Sequence, residues 1–257
     1  MKAINDLPIA VIDSGVGGIS VLRELLKLLP NENYLYFGDS ANAPYGTKTR
    51  DEVLSITESN LEMLKKRGIK ALVIACNTAT SAAARILREK NPDLPIIGIE
   101  PAVKPASMIC AHPRVLVMAT PLTLREEKFL SLIDRFSDNA EFISLPCPSL
   151  VELIETGDVD GDDIDKYLEG LLSPYRSLRI DAVVLGCTHY PHIKHKIEKH
   201  FSPDTHIIDG GEGTARQTKR RLSELGLLNP STCTGKVELL NSGKAELIEI
   251  SAKLLYK

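Results

Sequence analysis

Eight short runs of largely apolar, often β-branched residues, separated by stretches of helical periodicity, constrain the fold more than any other feature of this sequence. They lie at 8–12, 33–37, 71–75, 95–99, 114–119, 141–145, 181–186 and 206–208 and read as strands. Several lack the apolar–polar alternation of a half-exposed strand, which predicts burial on both faces, as in parallel sheets covered by helices. The segments between them supply the helices. Thr49-Arg50-Asp51-Glu52 is a capping box, in which the threonine and glutamate side chains satisfy free amides at a helix start, and Val53, Ile56, Leu61 and Leu64 follow on one face. Residues 79–90 are rich in good helix formers. The class expected is α/β, with mainly parallel sheets flanked by helices.

Two of the runs end alike. The run at 71–75 leads into Cys76-Asn77-Thr78, and that at 181–186 into Cys187-Thr188-His189, which suggests two similar halves, each with its own sheet. Ligands of parallel sheets gather at the carboxyl ends of strands, and a third strand end carries Asp13-Ser14-Gly15-Val16-Gly17-Gly18. Each cluster alone has a structural reading: Asp13 and Ser14 as caps, Asn77 and Thr78 as a turn, Thr188 as the cap of a helix after Pro191. Together they point to chemistry. A cysteine just before a helix feels its unpaired amides and ionises below the free value of about 8.5. Two of them in matching places suit a symmetric task, such as taking a proton from one face of a carbon and returning one to the other. Asp13 and His189 are placed to tune one thiol each, while Ser14, Asn77, Thr78, Thr188 and the amides of the glycine turn suit the carboxylates of a small acid.

Composition narrows the partners. A chain of 257 residues makes one large or two modest domains, and 43% hydrophobic with 25% charged residues is ordinary globular usage. A net charge of −3, with both signs interspersed, gives no footprint for nucleic acid or an anionic membrane. No apolar run approaches the roughly 18 residues that span a bilayer, and MKAINDLP lacks the hydrophobic core of a secretory leader. The five cysteines form no CxxC pair, so free thiols in the cytoplasm are expected; Cys110, Cys147 and Cys233 lie off the strand-end pattern and are assigned no function.

Other readings compete. Gly15-Val16-Gly17, with Asp39 after the next run, imitates half of a dinucleotide-binding fingerprint, but Ser20 stands where its third glycine belongs. A thiol hydrolase leaves the second cysteine unexplained. Cys187, His189, His192 and His195 match no zinc spacing, and the later histidines are expected at the solvated surface. A binding module that holds an acid without turning it over stays open.

The chain also resembles the glutamate racemase family, through IDSGVGGISV at 12–21, YFGDSANAPYGTKT at 36–49, ACNTATS at 75–81, LVELIE at 150–155 and GCTHYP at 186–191. The resemblance implies two-base racemisation of glutamate at its α-carbon, with no cofactor and no metal, supplying D-glutamate for peptidoglycan. It implies that Cys76 acts on the D enantiomer assisted by Asp13, that Cys187 acts on the L enantiomer assisted by His189, and that Glu152 is a further assisting acid. Asp13, Ser14, Tyr45, Gly46, Asn77, Thr78, Thr188 and His189 are the implied substrate contacts. It further implies two α/β domains, 1–98 with 211–257 and 99–210, an active site in the cleft between them, and a homodimer. One departure is visible: where the family has a glycine between two threonines, this chain reads Thr120-Pro121-Leu122-Thr123. Leucine reaches glycine's backbone angles only at a cost, so this turn and its substrate contact are expected to differ.

Overall fold

The computed structural model describes residues 3–257. The chain forms two compact units, one of residues up to Glu100 together with Gly211–Lys257, the other of Pro101–Gly210. Strands β1 (Ile9–Asp13), β2 (Tyr34–Gly38), β3 (Ala71–Ile74) and β4 (Ile96–Gly98) of the first unit alternate with helices α1 (Ile19–Leu28), α2 (Arg50–Lys66) and α3 (Asn77–Lys90). Helix α2 starts at the expected capping box: Thr49 Oγ1 accepts from the Glu52 amide at 3.3 Å, and Glu52 Oε2 accepts from the Thr49 amide at 2.8 Å. Acids in its first turn and lysines in its last suit the helix dipole. Val53, Leu61 and Leu64 are buried, whereas Ile56 is half-buried and Thr57 takes the inner place beside it.

The second unit repeats the pattern with α4 (Val103–Ala106), β5 (Arg114–Ala119), α5 (Pro121–Arg125), α6 (Glu127–Phe136), β6 (Glu141–Pro146), α7 (Leu150–Glu155), α8 (Asp162–Leu172), β7 (Ala182–Leu185), α9 (Lys194–Ile197) and β8 (His206–Asp209). The chain then returns to the first unit as α10 (Gly211–Glu224), β9 (Val237–Asn241) and α11 (Glu246–Tyr256). Every strand pair is parallel. Strands β1, β2, β3 and β7 are buried at every residue, as strands covered on both faces must be. All eight expected strands are present, with ends that differ by a residue or so. The ninth, β9, was not anticipated. It is a half-exposed edge strand, VELLN, with a single β-branched residue, so it carries little of the usual strand signal.

Sheet order is β4-β3-β1-β2-β9 in the first unit and β6-β5-β7-β8 in the second. With β9 set aside, β1, β2, β3 and β4 correspond to β5, β6, β7 and β8, and the two orders are then the same. In each sheet the chain moves from its first strand to a neighbour on one side and then crosses to the other. This creates a switch point between β1 and β3, and another between β5 and β7, where the outgoing loops diverge and leave a crevice. Register confirms the correspondence: Ile12 pairs with Ile74 as Met118 pairs with Leu185, and the next amides continue the ladder, Ala75 N to Ile12 O at 2.8 Å and Gly186 N to Met118 O at 2.7 Å.

A buried ion pair lies where the returning segment meets the rest of the first unit. Lys70 Nζ lies 2.5 Å from Glu32 Oε2, in ion-pair contact without hydrogen-bond angles, and both side chains are almost wholly inaccessible. Lys70 also donates to Asn5 O at 2.6 Å, and Glu32 Oε1 accepts from the Asn229 amide at 2.8 Å. Removing one buried charge strands the other, which costs about 3–5 kcal/mol, whereas exchanging both for apolar groups of similar size is often neutral. Lys70→Met or Glu32→Gln alone should therefore lower the urea midpoint strongly, and Lys70→Met with Glu32→Leu should recover most of the loss.

Candidate functional site

In the first unit the switch point carries Asp13 and Cys76. Asp13 is the last residue of β1; its carbonyl accepts from Asp39 N at 2.9 Å, and its Oδ1 accepts from Gly15 N at 3.1 Å. The turn that follows is packed tightly. A Cβ on Gly18 would lie 2.5 Å from Asp13 Cβ, and Tyr36 donates its hydroxyl to Gly15 O at 2.6 Å. Glycine at 18 is thus a matter of space beside a buried carboxyl group.

Cys76, two residues beyond β3, is the N-cap of α3. Its backbone is extended, and its sulfur accepts from the Ala79 amide at 3.5 Å. The thiol also reaches Ser14 Oγ at 3.7 Å. Asn77 and Thr78 form the first turn of α3 and are buried. Asn77 Oδ1 has no hydrogen-bond partner among the described residues, an acceptor suited to a donor such as an ammonium group. Tyr45 is buried in a short 3-10 turn, Tyr45–Thr47, and Gly46 beside it is half-buried. Burial raises the Tyr45 pKa most, followed by its hydrogen bond to Asp39 and by the charges of Asp39, Cys76 and Asp13.

In the second unit the corresponding place holds Cys187, also buried and also two residues beyond its strand. Here the two halves differ. No α-helix starts at Cys187 as expected; the chain enters a 3-10 turn, Tyr190–Ile193, before the short α9, and Tyr190 N donates to Cys187 O at 3.2 Å. The sulfur instead meets His189 Nδ1 at 3.6 Å. His189 is fully buried, and its Nε2 lies 2.5 Å from Glu155 Oε1. Burial opposes a charged imidazole, but the hydrogen bonds to Cys187 and Glu155 and the charges of those two groups outweigh it, so the His189 pKa stands well above its ordinary value. Thr188 is buried beside them.

The partner of His189 is therefore Glu155. Glu152, taken from the same LVELIE block, is exposed on α7. Helical phase carried that information: Leu150, Val151 and Ile154 define the buried face, and Glu155 lies about 90° from its centre whereas Glu152 lies about 150° away. Other expectations are also revised. Thr120 caps α5, its Oγ1 accepting from Thr123 N at 3.3 Å, with Pro121 in the first turn, so Leu122 sits in right-handed helix and needs no glycine-like angles. His192 is buried, not solvated, while His195 is exposed and pairs with Asp160 at 3.1 Å. No group of three or more His, Cys, Asp or Glu side chains is arranged to hold a metal ion among the described residues. Cys147 is buried at the end of β6; burial dominates its environment and pushes its thiol up to about 12. Cys110 and Cys233 are exposed.

Relatives share this architecture. The Asp/Glu/Hydantoin racemase family model matches residues 9–218. Glutamate racemase of Clostridium botulinum (strain Alaska E43 / Type E3) is 49% identical over 249 residues, 96% of each chain. The crystal structure of glutamate racemase isoform RacE1 from Bacillus anthracis is similar with a TM-score of 0.87 at 31% identity, covering 98% of this chain and 94% of that one. Glutamate racemase from Francisella tularensis subsp. tularensis SCHU S4, solved in complex with D-glutamate, gives 0.83 at 31% identity, over 98% and 95% of the two chains. With a family match that runs through both sheets and near-half identity along almost the whole length, the chain belongs to the Asp/Glu/Hydantoin racemase family, as an isomerase of the glutamate racemase type.

Proposed function

We propose that this chain interconverts L- and D-glutamate without a cofactor, with Cys76 and Cys187 as its two acid–base groups, and that the D-glutamate it forms serves peptidoglycan synthesis. The observation that carries this reading is the paired placement of two buried thiols, each two residues past the strand beside the switch point of its own sheet. The shared resemblance to glutamate racemases, one of them solved with D-glutamate, supports the choice of acid.

Each direction begins with one cysteine as thiolate and the other as thiol. For L-glutamate, Cys187 takes the α-proton and Cys76 gives one to the opposite face; for D-glutamate the roles reverse. Protonated His189, held by Glu155, stabilises a thiolate at Cys187. At Cys76 the first amides of α3 and the hydroxyl of Ser14 serve that purpose, with Asp13 at the neighbouring strand end as the assisting group. Asn77 Oδ1 suits the substrate ammonium, while Thr78, Thr188 and the amide of Gly46 suit its carboxylates. The α-proton of an amino acid is far less acidic than a thiol, so such preorganised donors must stabilise the developing carbanion. Cys147, kept neutral by burial, takes no part.

Incubation of L-glutamate in deuterated water should show loss of optical rotation together with loss of the α-proton NMR signal, and L-aspartate serves as the comparison acid. Cys76→Ala and Cys187→Ala should each reduce racemisation by roughly 10²–10⁴-fold or more. Full activity in either variant would overturn the two-base assignment.

The pH profile tests Glu155. A raised His189 pKa keeps the imidazolium to higher pH, and its charge beside Cys187 is lost as pH climbs through that value. Glu155→Gln removes one of the groups that hold the proton, so the basic limb of kcat/KM should move to lower pH. Because the two enantiomers have equal free energy, the limb must move equally in both directions. Glu152→Gln, at the exposed position, should leave it in place.

A further inference from the structure

Asp39 occupies a position that neither the strand-end chemistry nor the paired cysteines explain. It follows β2, is 1% exposed, and its carboxylate is held by neutral groups: Tyr45 Oη at 2.6 Å and Asn60 Nδ2 at 3.0 Å on Oδ2, Ser242 Oγ at 2.7 Å on Oδ1, and Asn42 Nδ2 at 3.0 Å from both oxygens. Burying a carboxylate without a cation is costly even when it is well hydrogen-bonded. The corresponding place in the second unit holds Cys147, whose amide donates to Ala119 O at 3.0 Å as the Asp39 amide donates to Asp13 O at 2.9 Å. A neutral, apolar residue is therefore compatible with the backbone at this point of the fold, and the acid in the first unit has a local purpose.

That purpose is visible in what the carboxylate holds. Tyr45 gives its single hydroxyl proton to Asp39, and its oxygen accepts from Asn60 at 3.3 Å. The hydroxyl is engaged on both counts, so Tyr45 contributes through the placement of its ring, packed in one apolar cluster with Cys76 and Ala79, and of the Gly46 amide that follows. Ser242 comes from the returning segment just after β9. Its amide donates to Gly38 O at 3.0 Å, and its hydroxyl donates to Asp39 while accepting from Ala41 N at 3.0 Å.

We propose that Asp39 is a positioning residue of the Cys76 half-site, fixing Tyr45 and Gly46 beside the thiol, and that Ser242 makes the carboxyl-terminal segment part of the same device. The effect on turnover rests on the glutamate reading; the effect on Tyr45 does not. In protein carrying ring-labelled ¹³C-tyrosine, with the Tyr45 signals assigned through Tyr45→Phe, Asp39→Asn should shift and broaden those signals and Ser242→Ala should do so more weakly. Asp39→Asn should raise KM for glutamate roughly tenfold, the scale of one lost hydrogen bond to a charged group, with a smaller change in kcat. Tyr45→Phe should raise it similarly, and the double variant should add little, since both changes break one link. Unchanged Tyr45 signals in Ser242→Ala and Asp39→Asn, or fully additive losses in the double variant, would overturn the proposal. A wild-type chain inert toward glutamate would sink the racemase reading alone, because the tyrosine signals still decide the role of Asp39.

Discussion

The main-chain ladder between the first and third strands of each sheet is the constraint on which the placement of both cysteines depends. Two parallel strands hydrogen-bonded as far as Ala75 N to Ile12 O, and as far as Gly186 N to Met118 O, leave each cysteine the same distance past the last shared bond. A cysteine there is buried by the sheet behind it yet stands among loops, where backbone amides and polar side chains are in supply. The surroundings are rigid because the strands beneath them are covered on both faces and cannot slip without exposing apolar surface. Gly186 belongs to this constraint, since a Cβ there would come within 2.9 Å of Met118 O.

On this common frame the two halves surround their cysteines differently. The first uses backbone: Cys76 caps a 14-residue helix, and an amide points at its sulfur. The second has no such helix at hand and uses side chains, a buried imidazole backed by a carboxylate. The consequence is electrostatic. Amides at a helix terminus carry fixed partial charges that do not titrate, whereas the imidazole's charge depends on pH and on Glu155. The pH sensitivity of the pair is thus expected to enter through the second half. The same asymmetry runs one strand further out, where Asp39 with its ring of neutral donors stands in the first half and the buried thiol of Cys147 takes the corresponding place in the second.

How much of this was legible in advance follows from the range of the interactions involved. Central strands announce themselves because burial on both faces demands unbroken apolar runs, and the capping box of α2 is a contact between residues three apart. The edge strand β9 has neither feature. Glu155 was within reach of a phase argument along α7, yet the block resemblance favoured Glu152, which shows that a short motif match does not by itself say which of two carboxylates faces inward. Leu122 would be strained in a glycine turn, but Thr120 and Pro121 start a helix there and no such strain arises.

The sequence by itself determined the α/β class, the repeated strand-end cysteines and the family, because these rest on local periodicity and on short contiguous motifs. Only the tertiary structure decided that the two sheets share one strand order, that His189 lies between Cys187 and Glu155, and that Asp39, Tyr45, Asn60 and Ser242 form one network. Those facts join residues from separate turns of the chain, as far apart as Asp39 and Ser242. Strand order and side-chain pairing at such separations are set by packing, which no local pattern records.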